Sequence, residues 1–302
     1  MSLKFTEGEE SDTIDAVLTV RDQKPHVFFA TLDNTGTEQT EELRTSLGYQ
    51  HGNLFNRDHA LTATLTTAPQ DPSSTTQIGL NYLIPMYDKG TSLSILFSDS
   101  EINSGTVGEG ISVSGKGSAL GFVYNNPIPT TGGFTHQWSA GVQYKLFENT
   151  ISIGAADDQA DVLSLPVEVG YGFQKQKQGH SFSGGIRFAI NIPGGCDGAD
   201  DNYAASRAGA KNDGSVIRFN LGYDQLISNE WLFHLGFAGQ SSSDFLISGE
   251  QFGVGGVSSL RGFEERSVTG DSGHQINFEL WLPPVTQYNF RFAALYDLAS
   301  VE

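Results

Sequence analysis

The sequence predicts an all-β fold, a transmembrane antiparallel β-barrel. Three observations carry this. Apolar and polar residues alternate with period two through most of the chain, the spacing that puts successive side chains on opposite faces of a strand. The alternating segments, about thirteen after residue 26, run to roughly 10 residues each. That is long for a soluble sandwich and suits a tilted bilayer crossing. The links between them are short and long by turns, as in a barrel with tight turns at one rim and long loops at the other.

The first 26 residues stand apart. In SDTIDAVLTVRDQKP, Ile14, Ala16, Leu18 and Val20 alternate with Asp15, Val17 and Thr19 before a Lys-Pro break. This reads as the last strand of a preceding small domain, with residues 1–26 its C-terminal remnant and 27–302 the barrel. Strands are then expected near 27–34, 41–50, 59–68, 75–85, 91–100 and 115–125. In WSAGVQYKLF, Trp138, Ala140, Val142, Tyr144 and Leu146 share one face, and Ser139, Gly141, Gln143 and Lys145 the other. In LPVEVGYGF, Leu165, Val167, Val169, Tyr171 and Phe173 oppose Glu168, Gly170 and Gly172. In FSGGIRFAINI, Ile186, Phe188, Ile190 and Ile192 oppose Arg187 and Asn191. In IRFNLGYDQL, Phe219, Leu221 and Tyr223 oppose Arg218, Asn220 and Asp224. A strand near 230–240 follows. In HQINFELWL, Ile276, Phe278, Leu280 and Leu282 oppose Gln275, Asn277 and Glu279, and a last strand is expected near 290–298.

The turns NLFNRD, MYDKG, QKQKQGH, LISNE and PPVTQ are short. Between them lie longer polar links: APQDPSS, EINSGTVGEGISV, ENTISIGAADDQAD, PGGCDGADDNYAASRAGAKNDG and about Leu246 to Gly273. One link breaks the alternation, NNPIPTTGGF, of medium length where a short one is expected. The polar face carries Glu168, Arg187, Arg218, Asp224 and Glu279. Charges there need water or partners. Period two alone does not say which face is inside. Strand length and loop asymmetry favour a wet, polar interior and an apolar face toward lipid.

Composition agrees. The chain has 36 Gly, 20 Phe and 10 Tyr, a mixture that favours strands and turns over helices. No helical period is sustained, and no run of 18 apolar residues marks a transmembrane helix. The net charge of −18 argues against nucleic acid as a partner. The lone Cys196 excludes an internal disulfide and multi-cysteine metal sites. No signal peptide follows Met1. The chain is therefore expected to be cytosolic or to start short of its natural N-terminus.

An ordered series of motifs adds a resemblance that covers nearly the whole chain. LDNTGTEQT (Leu32 to Thr40) with GYQHGNLFNRDHALT, then NYLIPMYDKGTSLSI, LRGFEERSVTGDSG, HQINFELWLP and FRFAALYDLA stand in chain order. They resemble the barrel of two-partner secretion outer-membrane transporters, the ShlB/FhaC/HecB haemolysin secretion and activation group of the BamA-like superfamily. LRGF resembles that superfamily's V-R-G-[FY] loop, with Leu260 in place of Val. YDLA resembles its F-x-D-x-G strand, with Ala299 in place of the glycine.

The resemblance implies a barrel of sixteen strands, about three of which would follow Glu302, with periplasmic POTRA domains before the barrel. The chain is then truncated at both ends, and with two bare edges it is not expected to function alone. The signature loop, Leu260, Arg261, Gly262 and Phe263, would fold into the lumen. Arg261 would pair with Asp297 near Glu279, Gly262 would allow the tight turn, and Phe263 would pack on the lumen wall. The implied function is export of a large, unfolded exoprotein of haemolysin or adhesin type across the Gram-negative outer membrane, without nucleotide. The partners would be that exoprotein and membrane lipid, around a monomeric barrel with no cofactor and no catalytic site. The alternatives are a BamA-like or TamA-like assembly factor and a passive porin. A lipid-hydrolysing barrel lacks a Ser/His/Asp constellation, and a soluble β-sandwich lectin would stay in solution without detergent.

Other candidate sites are weak. His26, His51, His59, His136, His180, His234 and His274 lack metal-ligand spacing and read as solvated or turn residues. Asp197, Asp200 and Asp201 lack the ligand spacing of a calcium loop and read as a solvated outer loop. SGKGSALGF follows no strand-to-helix transition, so it is no phosphate loop. Trp138, Trp231, Trp281, Tyr144 and Tyr171 suit an interfacial girdle or cross-strand packing.

Overall fold

The computed structural model describes residues 2–7, 12–19, 24–36, 41–72, 75–102, 115–148, 161–195, 197–227, 230–285 and 290–302. Strands β1 (Ser2–Glu7) and β2 (Ile14–Thr19) form an antiparallel hairpin in a sheet of their own. The sequence reading places one strand here, and the structure has two. SLKFTE also alternates, Leu3 and Phe5 against Lys4 and Thr6, but the run is short and merges into the acidic GEESD. Val20 and Cys196 lie outside the described residues.

The main sheet is an antiparallel meander and forms the barrel wall. Its strands are β3 (His26–Asp33), β4 (Arg44–Leu54), β5 (His59–Thr67), β6 (Thr76–Met86), β7 (Thr91–Ile102), β8 (Gly115–Thr131) and β9 (Phe134–Glu148). After a short β10 (Val162–Ser164) come β11 (Pro166–Lys177), β12 (His180–Asn191), β13 (Ser215–Ile227) and β14 (Trp231–Ser241). A separate hairpin, β15 (Phe252–Val254) and β16 (Val268–Gly270), precedes β17 (Gly273–Trp281) and β18 (Ala293–Val301). Each wall strand pairs with the next in sequence, from β3 to β18, and β10 adds to β9 off this path. Among the described residues, β3 and β18 each have one neighbour.

Links at one rim are turns such as 87–90, 132–133 and 178–179, and links at the other include 192–214 and 242–272. The medium link NNPIPTTGGF is in fact short. β8 runs on through Pro127 and Pro129, leaving a two-residue Gly132-Gly133 turn with positive φ at both. The pairing of β7 with β8 ends at Ser92 and Asn125. Beyond it β8 pairs with β9 alone, where a proline leaves no bond to β7 unmade.

Burial sorts the two faces. Gln143, Lys145, Glu168 and Gln240 are at most 7% exposed, whereas Tyr144, Val169 and Ile186 are about half exposed. Polar inside and apolar outside is the reverse of a soluble protein. No helix among the described residues is long and apolar enough to cross a membrane.

One α-helix stands among the described residues, against expectation: α1 (Asp200–Ser206), in the 192–214 link. It is too short to register as a period. Asp200 and Asp201 lie in its first turn, where the helix dipole favours negative charge. The link is not simply solvated. Tyr203 is buried with Phe147, Val162, Ala210 and Ile247. Its hydroxyl donates to Leu163 O (3.1 Å) and accepts from Asn191 Nδ2 (2.8 Å). This apolar cluster gives the 242–272 link a floor to rest on.

Candidate functional site

The 242–272 link lies against the polar face of the wall and is held by three groups of charged contacts. The first is at its end. Asp271 accepts both arms of Arg207, Nη1 at 2.5 Å and Nη2 at 2.9 Å, and also the Leu246 amide at 3.0 Å. This ties the link to the segment after α1.

The second is Glu250, in a 3-10 turn (Ser248–Glu250). Its Oε1 accepts from Lys145 Nζ on β9 (2.8 Å) and its Oε2 from Arg218 Nη2 on β13 (2.7 Å). Gln240 on β14 donates to its carbonyl (2.9 Å) and accepts from Arg218 Nε (2.8 Å). Three strand spacings separate β9 from β13, about 14 Å on a flat sheet. Two side chains from these strands meet at one carboxylate, so the wall curves around the link. Burial alone would raise the pKa of Glu250. The charges and hydrogen bonds of Lys145 and Arg218 outweigh it and hold the carboxyl down at about 2. Sequence reasoning missed Glu250. The only signal was indirect: Lys145 and Arg218 sat on the polar face of their strands.

The third contact brings together Arg261, Glu279 and Asp297. Arg261 Nε and Nη2 donate to the two oxygens of Asp297 on β18 (2.7 and 2.5 Å), and Nη1 donates to Glu279 Oε1 on β17 (2.5 Å). The backbone amide of Arg261 adds a bond to Asp297 Oδ2 (3.0 Å). Asn277 Nδ2 donates to Asp297 Oδ1 (2.8 Å) and to Ser259 O (2.5 Å). Leu260 lies beside these contacts as a partly buried residue. The approach is built from glycines. Gly255, Gly256 and Gly262 all have φ between +91° and +121°, a region that side chains disfavour.

Phe263 departs from the expected packing, being 60% exposed. The wall holds the guanidinium rather than the ring. Gly262 turns the chain, and Phe263 contributes its carbonyl, which accepts from the Gly256 amide (3.0 Å). Trp281 also departs from the girdle reading. It shares a face with Glu279 and donates Nε1 to Glu279 Oε2 (2.8 Å). Trp138 remains on the apolar face against Tyr124, ring centroids 5.5 Å apart.

Four of the seven histidines have polar side-chain partners. His26, His59 and His136 each share a hydrogen bond with a tyrosine hydroxyl, of Tyr49, Tyr82 and Tyr171 respectively. His234 meets Asp224 at 2.7 Å. Among the described residues no group of three or more His, Cys, Asp or Glu is placed to hold a metal. Asp200 Oδ1 instead accepts from the Asn212 amide (3.1 Å). A cavity of about 620 Å³ lies between the wall and the link, with Lys145, Glu168, Arg187, Arg218, Glu250 and Arg266 among its lining.

The chain and its fold match known proteins. The model of the haemolysin secretion/activation protein family ShlB/FhaC/HecB matches residues 12–301. The heme/hemopexin transporter protein HuxB of Haemophilus influenzae is 20% identical over 297 residues, 98% of this chain and 52% of HuxB. The structure of CdiB from Escherichia coli superposes with a TM-score of 0.74 at 16% identity, covering 93% of this chain and 52% of CdiB. BamA from Haemophilus ducreyi, lacking POTRA domains 1–3, follows with a TM-score of 0.63 at 14% identity, covering 99% of this chain and 62% of BamA. The chain thus spans about half the length of the curated relative it matches.

Proposed function

Since the chain belongs to the haemolysin secretion/activation family ShlB/FhaC/HecB, we propose that it forms the outer-membrane pore through which a partner exoprotein leaves the cell in two-partner secretion. Members of this family are proteins of the Gram-negative outer membrane, and the apolar outer face suits contact with its lipid. The observation that carries the proposal is the 242–272 link. It lies along the polar face and is held there by ion pairs rather than by strand pairing. Such a link can leave without unzipping the wall. In this reading the polar face lines a lumen, the link is a removable plug, and Leu260 to Phe263 form its tip, clamped by Glu279 and Asp297. The β1–β2 hairpin is the end of a preceding periplasmic domain, and the barrel works as a monomer on an unfolded exoprotein of haemolysin or adhesin type. Folding of the exoprotein outside the cell pulls it through, with no nucleotide, no catalysis and no cofactor.

The test is secretion. Full-length protein is expressed in a Gram-negative host with the exoprotein encoded beside its gene, and the medium is assayed for the exoprotein. Export that depends on the barrel supports the proposal. Exoprotein retained in the periplasm, with other outer-membrane barrels depleted in a deletion strain, would overturn it. That result would favour the assembly-factor reading, which the BamA fold match keeps open. Passage of small solutes alone would favour a passive porin.

A further inference from the structure

The Glu250 site is more than an anchor for the plug. The three side chains that hold its carboxylate and carbonyl, Lys145, Arg218 and Gln240, stand on three wall strands, while the carboxylate itself stands on the link. The donors are therefore fixed in the barrel, and their ligand is tethered but removable. We propose that Lys145 and Arg218 form a carboxylate-binding site on the lumen wall, that Glu250 is its resident internal ligand, and that acidic side chains of the polypeptide in transit occupy it once the link withdraws. The inference rests on the export reading for its ligand.

Charge supports it. The whole chain carries −18, yet among the described residues the cavity beside Glu250 is lined by Lys145, Arg187, Arg218 and Arg266 against only Glu168 and Glu250. Arg266 belongs to the link and leaves with it, as does Glu250. The wall then presents three cations and one carboxylate, and that carboxylate, Glu168, lies 3.7 Å from Arg187. Lys145 and Arg218 then face a confined, weakly screened space without Glu250 as counter-ion, which favours an incoming carboxylate. Such a ligand would accept the same hydrogen bonds that Glu250 accepts in the plugged state, so that each acidic side chain passing the site opposes re-entry of the plug.

The test uses full-length protein in planar lipid bilayers under a potassium chloride gradient, with oligoglutamate and oligolysine of equal length as probes. Glu250→Ala should move the reversal potential toward that of chloride. It should also lower the half-blocking concentration of oligoglutamate by about tenfold or more, because a tethered competitor at roughly millimolar effective concentration is gone. Block by oligolysine should not strengthen. Adding Lys145→Gln and Arg218→Gln to Glu250→Ala should abolish the gain. Should that triple variant fail to assemble, judged by heat-modifiable gel mobility, the Lys145→Gln/Glu250→Ala pair gives the same comparison. Equal block in wild type and Glu250→Ala, or a gain that survives loss of both cations, overturns the proposal. Exoprotein secretion, measured in the same variants, separates the two claims. Block without any export sinks the export reading and leaves the carboxylate site standing, and export without differential block does the reverse.

Discussion

Truncating Arg261 to alanine removes a guanidinium that bridges two strands. Asp297 loses two side-chain hydrogen bonds, of 2.7 and 2.5 Å, and Glu279 loses one of 2.5 Å. If the link stays docked, both carboxylates keep only neutral donors. These are Asn277 and the backbone amide of residue 261 for Asp297, and Trp281 for Glu279. Breaking a buried pair by deleting one partner costs roughly 3–5 kcal/mol. The Asp297 side chain is 7% exposed but that of Arg261 is 23% exposed, so solvent screening places the loss at the low end, about 3 kcal/mol. That is about a hundredfold in the docking equilibrium of the link tip. Hydrogen–deuterium exchange of full-length protein in detergent or lipid reads it directly. The backbone amides of Gly256 and residue 261, bonded to Phe263 O and Asp297 Oδ2, should exchange about a hundredfold faster. The β17–β18 ladder amides should stay protected. Arg261→Lys should recover less than half of the effect, because an ammonium cannot grip Asp297 with two arms and also reach Glu279. Unchanged exchange at the tip in Arg261→Ala would refute the clamp as a source of docking energy.

The remaining predictions concern other parts of the plug and wall. The docked pKa of Glu250 lies below its ordinary value of 4.5, at about 2. Its contribution to docking is therefore fully present above about 4.5 and is lost as pH falls toward about 2, a total of roughly 3 kcal/mol. Channel opening in bilayers should rise across that window, and Glu250→Gln should flatten the pH dependence. Tyr203→Phe leaves the partly buried Leu163 carbonyl short of a donor and Asn191 short of an acceptor. It should cost about 1–3 kcal/mol, seen as proteolytic nicking of the 192–214 link while the barrel resists. At Gly262 an added Cβ meets nothing within 4 Å, so only its φ of +91° opposes a side chain. Gly262→Ala should cost about 1–2 kcal/mol, read by exchange at the tip. At Gly239 a Cβ would lie 2.6 Å from the Phe219 ring and 2.8 Å from the Gly273 carbonyl. Gly239→Val should lower the temperature at which the barrel loses its compact gel mobility, and an unchanged transition would contradict the packing.

The wall was legible in the sequence because lipid on one side and water on the other impose a strict period of two, which side chains cannot disguise. Boundaries erred where that signal was interrupted for local reasons. Pro127 and Pro129 read as a strand end, yet the strand continues where β7 has already stopped. The short pieces escaped for a different reason. β10, β15 and β16 have three residues each and α1 has seven, fewer than a period needs to repeat. α1 and β10 are held by the cluster in which Tyr203 and Val162 pack with Phe147, Ala210 and Ile247.

The site divides along the same line. Arg261, Glu279 and Asp297 could be named in advance through motif resemblance, because each lies within a recognisable stretch of chain. The exposure of Phe263 could not, since it depends on how Gly262 turns. Glu250 was hidden because its partners are 105 and 32 residues away in the chain. No local pattern encodes such a contact. What the sequence did expose was a polar face that carries Lys145 and Arg218 among carboxylates such as Glu168 and Asp224, with nothing local to say which charges pair. In a barrel, where long loops can fold back over the wall, a cation on the inner face with no strand-borne partner is evidence about a loop. Here the structure supplies the partner from the 242–272 link, as Glu250. On the export reading, the Lys145–Arg218 pair is the place where the wall would distinguish a plugged lumen from an open one, because a cation pair deprived of its counter-ion must recruit another.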